Sequence, residues 1–128
     1  MNDSIQLVQW IVEAAGEQKA LDLVTLDLRG VSLIADYFVI CSGRSTVQVK
    51  AIAEHIEKFL ENQGIRVLHR EGKREGQWLL LDYGSVVVHV FREEERRYYG
   101  LERLWADAKL VEDLEEAKED KGLTFVGP

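Results

Sequence analysis

Few residues in this chain have the type and spacing for chemistry, and the most suggestive pair flanks a Gly84-Ser85 step. Asp82 lies before it and His89 after it, inside two runs of β-forming residues, Trp78 to Tyr83 and Val86 to Phe91. A two-residue Gly-Ser step between such runs predicts a type II′ hairpin, because glycine takes φ > 0 at the first central position without a Cβ clash. The register follows: Tyr83 opposite Val86, Asp82 opposite Val87, Leu81 opposite Val88, Leu80 opposite His89, Leu79 opposite Val90 and Trp78 opposite Phe91. Asp82 and His89 then become diagonal neighbours on one face, within reach of an Asp–His hydrogen bond. Used as a general base, the pair would need a nucleophile. The candidates Ser85 and Cys41 have no clear place beside it. A structural contact, or a polar contact with a partner, accounts for the pair more simply.

Three other chemistries are weaker. Ser42-Gly43-Arg44-Ser45 precedes a helix pattern, and backbone N–H groups at a helix start bind phosphate. There is no P-loop lysine and no Gly-x-Gly-x-x-Gly, so Ser45 reads as a plain N-cap. Metal-assisted nucleotidyl transfer needs carboxylates converging on Mg²⁺, which on a strand means Asp-x-Asp. No strand here has that pair: Asp82 has Leu80 and Gly84 at those offsets, and Asp36 has Phe38. His55, His69 and His89 with the single Cys41 lack zinc-ligand spacing. No catalytic residue, cofactor or metal is expected.

The elements that position the hairpin are legible from periodicity. Asp3 with Gln6 fits a capping box for a first helix carrying Leu7, Val8, Ile11, Val12 and Ala15 on one stripe. Leu21 to Leu28 reads as a strand and stops at Arg29-Gly30. Ala35 to Cys41 is nearly all apolar, a central strand buried on both faces. Ser45 with Gln48 caps a second helix whose Val49, Ile52, Ala53, Ile56, Phe59 and Leu60 form one stripe, with Gly64 at its C′ position. Ile65 to His69 reads as a strand and Arg70 to Gly76 as a charged loop. After the hairpin, Arg92 to Arg97 opens a helix whose Tyr98, Leu101, Leu104, Trp105 and Ala108 make a stripe interrupted by Gly100. Val111 to Lys121 reads as an acidic helix. The expected fold class is α/β in the order αββαβββα, a mixed sheet of about five strands flanked by helices.

On the hairpin, Leu79, Leu81, Tyr83, Val86, Val88 and Val90 share an almost wholly apolar face, which predicts the main core. Trp78, Leu80, Asp82, Val87, His89 and Phe91 share the other. That mixed face is either a second buried layer or a surface for a partner.

A length of 128 residues suits one domain, and a net charge of −7 argues against a dedicated nucleic-acid binder, which would need clustered Lys and Arg. Beyond residue 105, seven acids stand against three lysines, so much of the excess lies in the tail. A lone Cys41 rules out an intrachain disulfide and fits a reducing compartment. Met1-Asn2-Asp3-Ser4 lacks a basic signal-peptide start, and no apolar run reaches the ~18 residues of a membrane span. The expected location is cytoplasmic, with a matrix protein as the other option.

Two long segments resemble a known family. Ala35-Asp36-Tyr37-Phe38-Val39-Ile40-Cys41-Ser42-Gly43, then Ser45, Gln48-Val49 and Ala51-Ile52-Ala53, is similar to the first signature of the ribosomal silencing factor (RsfS, or Iojap-like) family. Trp78, Leu80-Leu81-Asp82-Tyr83-Gly84, Val86 to Phe91, and then Arg97, Tyr99, Leu101-Glu102 and Leu104-Trp105 resemble the second. The resemblance covers roughly residues 4–108. Ser85 stands where the family commonly has Asp, and the acidic tail is longer than in short members. The resemblance implies a nucleotidyltransferase-like α/β fold without catalytic carboxylates, and no enzymatic activity. It implies binding to the large ribosomal subunit through ribosomal protein uL-fourteen, a steric block of small-subunit joining, and repression of translation under starvation. Organelle relatives act in large-subunit assembly, and members are often homodimers.

The expected arrangement is therefore an RsfS/Iojap-like domain over 1–108 and an acidic extension over 109–128. The residues expected to meet the partner are Trp78, Leu80, Asp82, His89 and Phe91, joined by Arg97, Tyr98 and Leu101. No direct nucleic-acid readout and no membrane contact are expected. The rival readings are a nucleotide-binding or nucleotidyltransferase-related enzyme using Ser42 to Thr46, and a dimeric scaffold using the mixed face for self-association.

Overall fold

In the computed structural model, residues 3–73, 75–100 and 109–110 are described. The elements are α1 (Ser4–Glu17), β1 (Leu21–Asp27), β2 (Tyr37–Gly43), α2 (Thr46–Asn62), β3 (His69–Lys73), β4 (Trp78–Asp82), β5 (Val86–Arg92), α3 (Glu93–Tyr99) and β6 (Lys109–Leu110). The strands form one sheet in the order β3-β4-β5-β2-β1-β6. The five expected strands are present, and the two-residue β6 adds a sixth beside β1. β2 and β5 run parallel while every other pairing is antiparallel, so the sheet is mixed.

The hairpin has the expected register: Trp78 faces Phe91, Leu79 Val90, Leu80 His89, Leu81 Val88 and Asp82 Val87. Gly84 sits at φ 90°, a value a side chain rarely tolerates, and the Tyr83 N–H closes the turn on the Val86 carbonyl at 2.9 Å. Ser85 contributes its backbone: its carbonyl accepts the N–H groups of Asp36 and Tyr37 at 2.8 and 3.1 Å. A tie made by main chain does not depend on whether Ser or Asp stands at the tip.

Helices α1 and α2 cover one face. Their stripes (Ile5, Leu7, Val8, Ile11, Ala14, Ala15 and Val49, Ile52, Ala53, Ile56, Leu60) pack on Leu79, Leu81, Tyr83, Val86, Val88 and Val90, the face expected to lie on the core. Both N-caps form: the Asp3 carboxylate accepts the Gln6 N–H at 2.8 Å and the Ser45 hydroxyl the Gln48 N–H at 3.1 Å. Neither is a complete reciprocal box, since the Gln48 side chain accepts the Arg44 N–H instead and the Gln6 amide turns to Gln9. Gly64, at φ 84°, ends α2 while Ile65 N–H returns to the Leu60 carbonyl.

Two expectations shift. The third strand is His69–Lys73, not Ile65 to His69, and includes residues expected to loop. Its outer side is the sheet edge among the described residues, so His69, Arg70 and Glu71 are solvated and show no alternation, while its backbone pairs with β4. Ile65 and Val67 instead pack on the core before the ladder begins. The third helix is also shorter than its stripe suggested. Gly100 takes a left-handed conformation (φ 55°, ψ 41°) and its N–H caps the Arg96 carbonyl at 3.0 Å. Leu101, Leu104, Trp105, Ala108 and the expected acidic helix lie outside the described residues. Among those described, no helix is long and apolar enough to cross a membrane.

At Gly43 the end of β2 lies close against α2. A Cβ there would lie 3.0 Å from the Val49 backbone nitrogen and 3.1 Å from its Cγ2. Helix backbone cannot swing aside as a side-chain tip can. Gly43→Ala is therefore expected to lower unfolding free energy by about 1–3 kcal/mol, measured by chemical denaturation; an unchanged midpoint would mean that α2 is free to move.

Candidate functional site

The second sheet face has its own apolar cluster: Leu26, Leu28, Ala35, Phe38, Ile40, Val87 and Phe91, with Val24, Trp78 and Leu80 partly exposed beside it. The two strands of the hairpin differ. On β5, Val87, His89 and Phe91 are buried; on β4, Trp78, Leu80 and Asp82 are half-buried. The mixed face is thus a buried layer along β5 and an accessible row along β4.

The row is held by aromatic packing beneath it. The Trp78 indole stacks on Phe91 at 4.7 Å between ring centroids, and its Nε1–H donates to His89 Nδ1 at 3.2 Å. Phe38 meets the His89 ring edge-on at 4.6 Å. Because Nδ1 accepts, the neutral ring carries its proton on Nε2, and that buried group has no hydrogen-bond partner among the described residues. Burial pushes the His89 pKa down from 6.5 to about 4. The expected Asp82–His89 contact is replaced by two local ones. Asp82 Oδ1 accepts the Gly84 N–H at 2.7 Å, an Asx-type turn at the hairpin tip, while Trp78 supplies the donor to the imidazole.

Helix α3 leaves the far end of β5, where the Arg92 N–H donates to the Gln77 carbonyl at 2.9 Å. Arg97 and Tyr98 are exposed on it, Tyr98 to 83%. Arg96 is its anchor. The buried guanidinium donates to the Ser42 hydroxyl at 2.9 Å and to the Asp22 carbonyl. That carbonyl belongs to an irregularity of β1 between Leu21 and Val24, where Asp22 has φ 48°. Sequence reasoning passed over Arg96 as one of a charged run; only the fold shows that this member points inward. Among the three acids of the run, Glu95 receives two bonds from Arg92 (2.7 and 2.8 Å) and Glu94 a longer one at 3.4 Å.

Of the residues expected to meet a partner, then, Trp78, Leu80, Asp82, Arg97 and Tyr98 have accessible surface. His89 and Phe91 lie beneath, and Leu101 is outside the described residues. The other candidates for chemistry have structural places. Ser42 and Gly43 are buried at the end of β2, with Val49 filling the space beside Gly43. Cys41 is buried and its thiol is pushed up to about 12 by desolvation. His55 joins Glu17 at 2.7 Å, tying α2 to α1, and His69 pairs with Glu71 on the β3 edge at 3.2 Å.

A family model described as "Ribosomal silencing factor during starvation" matches residues 1–124. The chain belongs to the ribosomal silencing factor family. It is 49% identical over 107 residues to ribosomal silencing factor RsfS of Halalkalibacterium halodurans, covering 84% of this chain and 92% of that protein. A crystal structure from Chromobacterium violaceum superposes with a TM-score of 0.79 at 32% identity, over 81% of this chain and 87% of that one. A more distant relative, the mouse protein named mitochondrial assembly of ribosomal large subunit protein 1, is 32% identical over 101 residues, 77% of this chain and 44% of its own length. The silencing-factor resemblance read from the two signatures is thereby shown, along with the α/β fold.

His89 yields a pH signature. Its folded pKa of about 4 lies below its ordinary 6.5, so between those values the unfolded chain binds more protons than the folded one. Stability from this group is complete above pH ~6.5 and is lost as pH falls toward ~4, by roughly 3 kcal/mol in all. His89→Gln, which keeps an acceptor for the indole, is expected to flatten that part of the stability–pH curve. Parallel wild-type and variant curves would show that the imidazole is not desolvated. Arg96→Met is expected to cost about 2 kcal/mol in denaturant unfolding, because it leaves the Ser42 hydroxyl and Asp22 carbonyl without their charged donor.

Proposed function

We propose that this chain is a non-enzymatic, cofactor-free silencing factor that docks on the large ribosomal subunit through protein uL-fourteen. From there it obstructs joining of the small subunit and represses translation during starvation. The single observation that carries the reading, beyond family membership, is the preorganised Trp78 row. An accessible indole is locked by a hydrogen bond to His89 and a stack on Phe91, so little side-chain freedom remains to be lost on binding. A steric blocker requires such an interface and no reacting group. Trp, Tyr and Arg, the residue types that dominate binding hot spots, are represented by Trp78, Tyr98 and Arg97.

In this reading residues 1–108 are the docking domain and 109–128 an acidic extension, and the factor acts in the cytoplasm as a homodimer. His89 and Phe91 contribute by supporting Trp78 rather than by touching the partner. Arg92 is paired with Glu95 and more loosely with the exposed Glu94, so the acids of α3 contribute less to steering toward a basic partner than their number suggests.

Co-sedimentation with separated ribosomal subunits tests the proposal. Wild-type protein is expected to travel with large subunits and to reduce joined ribosomes when both subunits are supplied. Trp78→Ala should weaken binding by about 2 kcal/mol or more, and Tyr98→Ala, at an exposed position, should weaken it without altering the fold. A folded wild-type protein that ignores large subunits sinks the proposal.

A further inference from the structure

The chain between β1 and β2 carries a feature that the docking row does not use. Three of its large apolar side chains face solvent: Val31 at 40%, Ile34 at 76% and Leu33 fully exposed. Such a group is unusual on a loop that also buries apolar residues, here Leu28 and Ala35 in the second-face cluster. The loop is closely braced. The Leu28 N–H donates to the Asp36 carbonyl at 2.8 Å, those of Val31 and Ser32 return to the Leu28 carbonyl at 3.0 and 2.9 Å, and the Ile34 N–H meets the Ser32 hydroxyl at 3.0 Å. The Asp36 N–H donates to the Ser85 carbonyl at 2.8 Å, fastening the loop to the hairpin tip. Leu33 and Ile34 therefore stand on a scaffold that holds them in water.

Position joins this group to the row on β4. The parallel register sets Tyr37 beside Val86 and Gly43 beside Arg92, so the loop lies at the tip end of the sheet and α3 at the other. The row Trp78, Leu80, Asp82 runs between the two ends, with Asp82 at the tip. The span along β5 is about 20 Å.

Charge selects the occupant. Asp3 caps α1 and Asp36 accepts the Ser4 hydroxyl at 3.0 Å on this side of the molecule. The base within the loop, Arg29, is engaged by Asp27 through two bonds of 3.1 and 3.2 Å and lies over the Tyr37 ring. Three carboxylates, Asp3, Asp27 and Asp36, against the one base Arg29 among the described residues on this side of the molecule disfavour nucleic-acid phosphate and an anionic lipid surface. Beside the exposed apolar group they suit a basic protein surface with an apolar recess. We propose that Leu33 and Ile34 are a second anchor of the docking surface, seating on a basic protein surface of the large subunit at the end opposite α3. The proposal rests on the silencing-factor reading and adds to it a contact separate from Trp78.

The test uses full-length Leu33→Ser/Ile34→Ser protein with purified large subunits. Both side chains are exposed, so the unfolding midpoint is expected to stay unchanged while binding weakens by about tenfold or more. Ile34→Lys should weaken binding more than Ile34→Glu; the reverse order would point to an anionic partner and overturn the proposal. If wild type binds and the double variant binds equally well, the second anchor is refuted and the silencing-factor reading stands. If light scattering shows the double substitution turning a dimer into a monomer without loss of subunit binding, the group is a self-association surface and the proposal falls. Wild-type protein that does not bind large subunits removes both.

Discussion

Strand β5 is hydrogen-bonded along both edges and buried on both faces, and the other elements are positioned by it. Its antiparallel partner β4 brings Trp78 over Phe91 and His89. Its parallel partner β2 brings Phe38 to the same imidazole and leaves the β1–β2 loop beside the hairpin tip. A slip of one residue in either ladder would turn Val86, Val88 and Val90 away from the helices and put His89 and Phe91 among them. Two independent pairings hold the same strand, so the register that builds the core also builds the accessible row.

That arrangement explains how a polar group comes to lie inside. His89 is on the face where the sheet has the smaller cluster, and its acceptor nitrogen is used by an indole rather than by solvent. The Nε2–H, without a partner among the described residues, is a cost accepted for a tryptophan fixed in one orientation. At the other end of β5, Arg96 does for α3 what His89 does for Trp78. A buried polar group reaches across to a neighbour, here a strand irregularity, and fixes an element that short length alone would leave weak.

Much of this was legible in the residues. The Gly84-Ser85 step and the alternation around it determine the hairpin register, and Ser45, Gly64 and the Val49–Leu60 stripe determine α2, because turn chemistry and helical period are local properties. What could not be read depends on neighbours far along the chain. His69–Lys73 is a strand because β4 offers it backbone partners, although its side chains look like a loop. Tyr98 fits an apolar stripe by spacing but stands in solvent, since the helix stops at Gly100. His89 and Asp82 share a face as expected, yet their hydrogen bonds go to Trp78 and Gly84, a choice set by side-chain rotamers rather than by register. The inward turn of Arg96 leaves no periodic trace at all.

The charged edge made by β3 bears on how the chain avoids pairing with its own copies. In the proposed role, which works by occupying a site, no turnover amplifies the factor and its numbers must match those of its target. Concentrated chains with a bare sheet edge tend to add strands to one another. Here that edge carries His69, Arg70 and Glu71, all solvent-exposed, followed by Gly72, where an added Cβ would press on the Leu79 Cδ2 at 2.8 Å. A second copy approaching strand to strand would have to desolvate these charged side chains to reach the backbone, which keeps the edge unreceptive while the row on the adjacent strand β4 stays available.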